Sequence, residues 1–160
     1  MRFNGLVLVA AAVALSACGG GETKSADTSA AAQPAASGTG TTGTAAAAPV
    51  TGKWVEVKMI GDEKGYKFDP ADVTIKAGDG VRWIMVTGAP HNVSFQNVAA
   101  DARSQLSANM PNQLSDLTSP MLLNANEKYE VSFAGVKPGK YEYVCQPHLA
   151  TNMKGSVTVQ

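Results

Sequence analysis

The chain has 160 residues, which is enough for one ordinary domain. Lysine and arginine total 13, and aspartate and glutamate also total 13, so the formal net charge is zero at pH 7. No basic run indicates a nucleic-acid partner, and no acidic block indicates a strongly steered basic partner.

The first 17 residues have the composition of a secretory signal peptide. Arg2 supplies a positive charge, and an unbroken apolar run follows over residues 6–15. A run of this length is too short to span a bilayer as a stable helix. We therefore expect residues 1–17 to be a signal peptide and the mature protein to work outside the cytoplasm.

Cys18 follows Leu15-Ser16-Ala17, a sequence that resembles the bacterial lipobox. In that motif the cysteine is lipidated and becomes the mature N-terminus. The alternative is an ordinary signal peptide followed by an incidental cysteine. The lipobox interpretation predicts a periplasmic or cell-surface protein that lipidated Cys18 anchors to a bacterial membrane.

Residues 18–50 would then be the lipidated cysteine and a flexible linker of Ala, Gly, Thr and Ser. This composition lacks the apolar periodicity that a core requires. A flexible chain of this length has a root-mean-square span of roughly 30 Å, so the tethered domain could search over a membrane surface. We place the start of the folded domain at Thr51, because every aromatic residue except Phe3 lies at Trp54 or later.

The domain predicted over residues 51–160 contains short stretches in which apolar and polar residues alternate, as in half-buried strands. Seven stretches are predicted as strands: 54–59, 73–76, 81–86, 91–95, 129–133, 141–145 and 156–159. Turns rich in glycine and proline separate them. Residues 97–120 form a long excursion, in which we expect a short helix over 99–106. The pattern indicates an antiparallel β-sandwich or barrel.

The domain has two histidines, His91 and His148, and one cysteine, Cys145, with Met153 five residues after the second histidine. A thiolate, two imidazoles and a weakly held thioether are the ligands of a blue-copper centre. Copper ligation would also explain a free thiol in an oxidising compartment. We predict that these four residues bind one copper ion that cycles between Cu(I) and Cu(II).

Strand geometry supports this prediction. His91 has the same parity as Val93 on its predicted strand, so both side chains should point to the same face. Cys145 ends another strand with its sulfur directed inward, and the following loop would return His148 and Met153 to the same end. Any one of these residues alone would more often be structural; their combination favours a metal site.

Two segments carry a resemblance to a known family: Pro90-His91-Asn92-Val93, and residues 141–155 with the spacing C-x2-H-x4-M. In these the domain resembles plastocyanin and its bacterial relatives such as auracyanin. The resemblance covers nearly all of residues 53–160. It implies an all-β fold, the eight-stranded Greek-key cupredoxin sandwich, and electron transport without enzymatic activity.

The resemblance also implies roles around the metal. Asn92 would join the two ligand-bearing segments by hydrogen bonds near the thiolate, and outer contacts of this kind orient ligands. The Pro90 carbonyl would lie near the copper, on the side away from Met153. Plant plastocyanins carry a tyrosine just before the copper cysteine, with acidic clusters beside it. Here that position is Val144 and no such clusters appear, so the resemblance does not extend to the remote docking site.

We therefore expect electrons to enter and leave through His148, within a small apolar docking surface formed by Leu149, Ala150 and Pro90. The expected partners are redox proteins, either a cytochrome or a membrane complex. We expect no nucleic-acid partner, and we expect a monomer.

Other functions fit the sequence less well. A copper enzyme needs an open coordination position and further histidines, and none remain. A metal-free adhesion module conflicts with the complete ligand set, and a dinuclear centre would need two cysteines in the loop. An extracytoplasmic copper carrier or chaperone would favour clustered methionines or paired cysteines, whereas the methionines are scattered. This carrier is the alternative function.

Overall fold

The structure is a computed structural model that describes residues 45–160. The predicted signal peptide, Cys18 and most of the predicted linker lie outside this range. No helix within the described range is long and apolar enough to cross a membrane.

The end of the predicted linker contacts the domain. The Ala48 N–H donates to Oδ1 of Asn109 over 2.8 Å, and the Gln105 side chain donates to the Ala46 carbonyl over 2.9 Å. The predicted boundary at Thr51 stays a prediction, but ordered contacts begin several residues before it.

The described chain forms eight strands, one α-helix and one short 3-10 helix. The strands are β1 Trp54–Asp62, β2 Gly65–Asp69, β3 Asp72–Ile75, β4 Gly80–Met85, β5 Ser94–Gln96, β6 Lys128–Ser132, β7 Gly139–Val144 and β8 Lys154–Val159. Helix α1 spans Ala100–Asn109, and the 3-10 helix spans Gln146–Thr151.

These strands form two four-stranded sheets. One has the order β2-β1-β4-β6 and the other the order β3-β8-β7-β5. The pairs β1–β4 and β3–β8 are parallel, and the other pairs are antiparallel. The chain crosses repeatedly between the sheets, so the predicted eight-stranded Greek-key sandwich is confirmed. The two parallel pairs differ from the purely antiparallel sheet that alternation alone suggested.

An aromatic cluster fills the space between the sheets. Trp83 on β4 is fully buried and meets Tyr143 and Phe95 edge to face, with ring centroids 5.3 and 5.9 Å away. Edge-to-face contacts suit rings that carry a negative face and a positive edge. Tyr143 also packs against Phe68 of β2. Burying each such ring stabilises the fold by roughly 1.5–3 kcal/mol, and the cluster holds the two sheets in a fixed relation.

The predicted strands differ from the observed ones at two places. Strand β2 is absent from the prediction, because it is only five residues long and runs directly into the turn signal Asp69-Pro70. The predicted strand over 91–95 is wrong at its start. His91 makes only an isolated bridge to Leu122, and regular pairing begins at Ser94.

The expected helix within the excursion is present and extends to Asn109. Its buried face is formed by Ala102, Leu106 and Asn109. The chain after this helix then lies along the segment that contains His91. Leu122 exchanges two backbone hydrogen bonds with His91, of 2.8 and 3.0 Å, and the Ser119 N–H donates to the Val93 carbonyl over 2.9 Å. Because the chain over residues 117–122 covers it, the segment is buried on both faces, and buried residues do not alternate with exposed ones there as predicted.

Candidate metal centre

Three candidate ligand atoms converge at one end of the sandwich. The Sγ atom of Cys145 lies 3.6 Å from Nδ1 of His91 and 3.4 Å from Nδ1 of His148. All three atoms lie within 4.8 Å of one another. In the sequence, Cys145 is 54 positions after His91 and 3 positions before His148, and the fold brings all three side chains together.

His91 is fixed by contacts of both its backbone and its ring. The residue is fully buried, and its backbone pairs with Leu122. Its Nε2 lies 2.8 Å from the Thr87 carbonyl oxygen. A carbonyl can only accept, so Nε2 carries the proton and Nδ1 presents its lone pair toward Cys145. A hydrogen bond on the far nitrogen is the usual way in which proteins orient a metal-binding imidazole.

Cys145 and His148 are positioned by the turn that follows β7. Cys145 is buried and free, and its carbonyl accepts the His148 N–H over 3.1 Å. His148 interrupts the 3-10 helix with φ −115° and ψ 24°, which are not helical values. This kink lets the ring turn back toward the sulfur while the residue keeps part of its surface exposed.

Met153 ends the loop that begins at Cys145, and its backbone bonds to both Cys145 and His148. Its carbonyl accepts the Cys145 N–H over 3.0 Å, and its own N–H donates to the His148 carbonyl over 3.3 Å. The side chain is 1% exposed, so the thioether lies in the interior next to the loop. Asn152 before it adopts a left-handed conformation, with φ 63°, where the chain leaves the 3-10 helix.

Asn92 links the two segments that carry the candidate ligands. Its Oδ1 accepts the backbone N–H of Gln146 over 2.8 Å, and its Nδ2 donates to the Gln146 side chain over 2.9 Å. Asn92 is fully buried. The neighbours of His91 and Cys145 are thereby bonded directly to each other.

Tyr66 on β2 lies directly on the site. Its ring stacks on the His148 imidazole, with centroids 3.6 Å apart and an angle of 11° between the planes. Tyr66, Thr87 and Gln146 also contact the site and were not among the predicted site residues. The alternation of Tyr66 and Phe68 could have shown that the tyrosine ring faces the same side as the core. A carbonyl such as that of Thr87 leaves no signal in the sequence.

Burial determines the protonation of the three donors. It lowers the pKa of His91, although the Thr87 hydrogen bond acts the other way, and it lowers the pKa of His148, helped by the nearby His91. Both imidazoles are therefore neutral at neutral pH and can donate a lone pair. Burial raises the pKa of the Cys145 thiol, while N–H groups of Asn92 and His148 oppose this. A bound cation would reverse that preference and favour the thiolate.

The donor set fits a copper ion. Typical bond lengths from a protein-bound metal such as zinc are about 2.0 Å to nitrogen and about 2.3 Å to sulfur. With three donors spaced evenly in a plane around a metal, these lengths would put the sulfur about 3.7 Å from each nitrogen. The observed sulfur–nitrogen distances of 3.6 and 3.4 Å are close to this separation. Two imidazoles and one thiolate in such a plane are the donors of blue-copper centres.

The comparison with known families agrees with this donor set. Residues 55–160 match the family described as "Copper binding proteins, plastocyanin/azurin family". The chain belongs to the plastocyanin/azurin family. Copper is therefore its cofactor, and the protein is a copper electron carrier rather than an enzyme.

Several of the similar proteins are plastocyanins. A plastocyanin of Scenedesmus fuscus is 36% identical over 107 residues, which are 66% of this chain and 99% of that protein. A plastocyanin of Nostoc punctiforme is 34% identical over 106 residues, 66% of this chain and 73% of that protein. The solved structure of oxidised plastocyanin from Dryopteris crassirhizoma aligns with a TM-score of 0.53 at 29% identity, covering 66% of this chain and 100% of the other.

The residues of the expected docking surface lie on the outside of the molecule. Leu149 is 60% exposed, and Ala150 and Pro90 are also exposed. Val144, at the remote position, is only partly exposed and lines a groove of about 710 Å³ with Tyr143 and several charged side chains.

Proposed function

We propose that His91, Cys145, His148 and Met153 hold one copper ion, and that the protein shuttles single electrons between redox proteins outside the cytoplasm. The observation that supports this most directly is the cluster of three donor atoms within 4.8 Å, together with the Nε2 hydrogen bond that turns Nδ1 of His91 toward the cluster. Copper supplies a one-electron couple when bound.

The surroundings of the donors suit rapid electron exchange. His91 and Cys145 are fully buried and fixed by backbone and side-chain hydrogen bonds, so they can move little when the charge at the site changes. Preorganised groups of this kind avoid the cost of rearrangement during the reaction. Among the four proposed ligands His148 alone is partly exposed, so it offers a route from the donor cluster to the surface.

We propose that partners dock at this exposed end, on Leu149, Ala150 and Pro90 around His148. Small apolar contacts suit transient redox complexes, which bury little surface. The domain is formally neutral over residues 51–160, so long-range electrostatic steering should contribute little. A cytochrome or a membrane complex outside the cytoplasm is the proposed class of partner. A lipid on Cys18 would keep the carrier close to such a complex.

The alternative function is an extracytoplasmic copper carrier or chaperone. A carrier must release its metal, which requires ligands that solvent or a partner can reach. Two of the donors, His91 and Cys145, are 0% exposed. This burial favours retention of copper and therefore electron transfer.

Redox cycling distinguishes the two functions. The copper-loaded protein should take up one electron per chain from ascorbate and return it to ferricyanide over repeated cycles without losing copper. Met153→Leu should keep a coloured site and raise its potential, because a weak donor that favours Cu(II) is removed. Transfer of copper to a competing chelator within the time of one redox cycle would support the carrier instead.

A further inference from the structure

We propose that Tyr66 is a positioning residue that holds the His148 imidazole at the metal site, and that Gly61 and Gly88 form the surface on which the tyrosine ring lies. This inference rests on the proposed function in one respect, which is that His148 is a copper ligand.

The two candidate imidazole ligands are held in different ways. His91 has a hydrogen bond from Nε2 to the Thr87 carbonyl. Within residues 45–160, no such bond is present at Nε2 of His148, which lies in a kinked loop and is partly exposed. The outer contact of this ring is instead the face of Tyr66, 3.6 Å away between centroids. Stacking thus takes the place of the hydrogen bond that usually orients a metal-bound imidazole.

The nearly parallel arrangement of the Tyr66 and His148 rings suits an imidazole that carries part of the positive charge of a bound metal. Neutral electron-rich rings prefer an offset or an edge-to-face arrangement over a close face-to-face contact. An imidazole bound to a cation is electron-poor, and the negative face of a phenol ring attracts positive charge. The 11° angle and short separation between Tyr66 and His148 therefore match a tyrosine that supports a ligand.

The backbone beside Tyr66 has no room for side chains. Tyr66 lies directly opposite Gly61 in the β1–β2 register. A Cβ atom at Gly61 would lie 2.5 Å from Cε1 of Tyr66, and one at Gly88 would lie 2.5 Å from the Gly61 Cα. The N–H of Gly61 also donates to the Thr87 carbonyl, the same oxygen that orients His91. The two glycines thus allow the ring to lie flat, next to the group that fixes the other histidine.

The chemical consequence concerns the one ligand that can move. Without the Tyr66 ring, the His148 imidazole could rotate outward into solvent while the other ligands stay in place. Such rotation would weaken the hold on Cu(I) and would add a structural change to each redox cycle. Aromatic pairs contribute enough free energy for an effect of about 3- to 10-fold.

Nuclear magnetic resonance of the full-length protein tests the contact itself. A phenol ring stacked on an imidazole shifts the His148 ring protons upfield through its ring current. We expect this shift in the metal-free and the Cu(I) forms, and its loss in Tyr66→Ala and Tyr66→Leu. Tyr66→Phe should keep it, because the contact uses the ring face and not the hydroxyl. Gly61→Ala should reduce it by displacing the ring while Tyr66 itself is unchanged.

Copper release tests the consequence. We expect Tyr66→Ala and Tyr66→Leu to lose Cu(I) to bathocuproine disulfonate about 3- to 10-fold faster than the unaltered protein, and electron self-exchange to slow. Tyr66→Phe should behave as the unaltered protein does. Trp54→Ala is the matched control, since it removes an aromatic ring of 37% exposure at the other end of β1. It should leave copper release unchanged.

Equal release rates for Tyr66→Leu and the unaltered protein, or equal rates for Tyr66→Leu and Tyr66→Phe, would overturn the inference. So would an unshifted His148 ring in the unaltered protein. Failure of the proposed function has a different signature, because the unaltered protein would then show no blue copper centre, or keep it after His148→Ala.

Discussion

Asn92 and Gln146 form a closed pair of hydrogen bonds, of 2.8 and 2.9 Å, that joins the neighbour of His91 to the neighbour of Cys145. The two bonded residues are 54 positions apart in the sequence. Asn92 is fully buried, whereas Gln146 is exposed. Water can therefore take over the hydrogen bonds of the Gln146 side chain but cannot reach the place of the Asn92 side chain. This buried amide therefore extends the β5–β7 pairing to the residues beside the two candidate ligands.

Asn92→Ala should destabilise the metal-free domain by about 1–3 kcal/mol, because the Gln146 N–H loses its acceptor in a partly buried place. Gln146→Ala is the control, since it removes only the side-chain bond and keeps the backbone N–H bonded to Asn92. Urea unfolding of both variants measures the difference. An Asn92→Ala variant no less stable than Gln146→Ala would contradict the asymmetry.

Acid should weaken the opposite end of the sandwich through Asp79. The Lys53 and Lys76 backbone N–H groups each donate to its carboxylate over 2.9 Å. These bonds, in that order, lower the pKa of Asp79 below its usual 3.8. Because the folded-state pKa is depressed, the stabilisation is complete well above pH 3.8 and is lost as the pH falls below that value.

Asp79→Asn should lower the thermal midpoint at pH 7, since an amide cannot accept from both N–H groups without turning its own donor toward one of them. The difference from the unaltered protein should shrink at pH 3. Asp116→Asn, which removes an exposed ion pair with Arg103, is the control and should change the midpoint little. Calorimetry at both pH values checks this, and an Asp79→Asn difference that is the same at pH 3 and pH 7 would be evidence against the role of this carboxylate.

Much of the fold could be predicted because the inward faces of the strands are apolar at every second residue. Tyr141 and Tyr143 are buried while Glu142 between them is exposed, as alternation predicts. The segment around His91 gave no such pattern. Five consecutive residues from His91 to Phe95 are buried, because residues 117–122 cover the face that a sandwich would leave open.

The candidate ligands could be predicted because their chemistry is rare in this chain, whereas their supports could not. Histidine and cysteine are scarce here, so their spacing is informative. The supports of the site are a carbonyl at Thr87, an amide pair at Asn92 and a stacked ring at Tyr66. Carbonyls, amides and tyrosines occur throughout any domain, and only the fold shows which of them touch the site. Asn92 was identified through the family resemblance and not from its own chemistry.

Electron exchange with redox partners should occur at the end of the domain where His148 is exposed. Leu149→Glu should slow electron exchange with donor and acceptor alike by about tenfold, because docking would have to desolvate a charge in place of an apolar side chain. Val144→Ala should change neither rate by more than about twofold, which corresponds to a free-energy change of about 0.4 kcal/mol.

Stopped-flow reactions with the native donor measure both variants, and the same rates should depend only weakly on salt because few fixed charges are involved. A steep fall in rate with added salt, or an unchanged rate for Leu149→Glu, would place docking elsewhere on the surface.

Membrane association should depend on Cys18. A lipid on this cysteine should keep the native protein in the membrane fraction, and Cys18→Ala should release it. Cell fractionation and mass spectrometry of the mature N-terminus provide the measurement. An unmodified N-terminus at another residue would show an ordinary secreted protein, and it would leave the copper site unaffected.

The most direct test of the central claim is the visible spectrum of the protein loaded with Cu(II). One copper per chain should give an intense blue colour from sulfur-to-copper charge transfer, and Cys145→Ser should abolish that colour because an alcohol cannot replace the thiolate. A colourless complex of the unaltered protein, or a blue complex of Cys145→Ser, would contradict the assignment of Cys145 and its neighbours as the copper ligands.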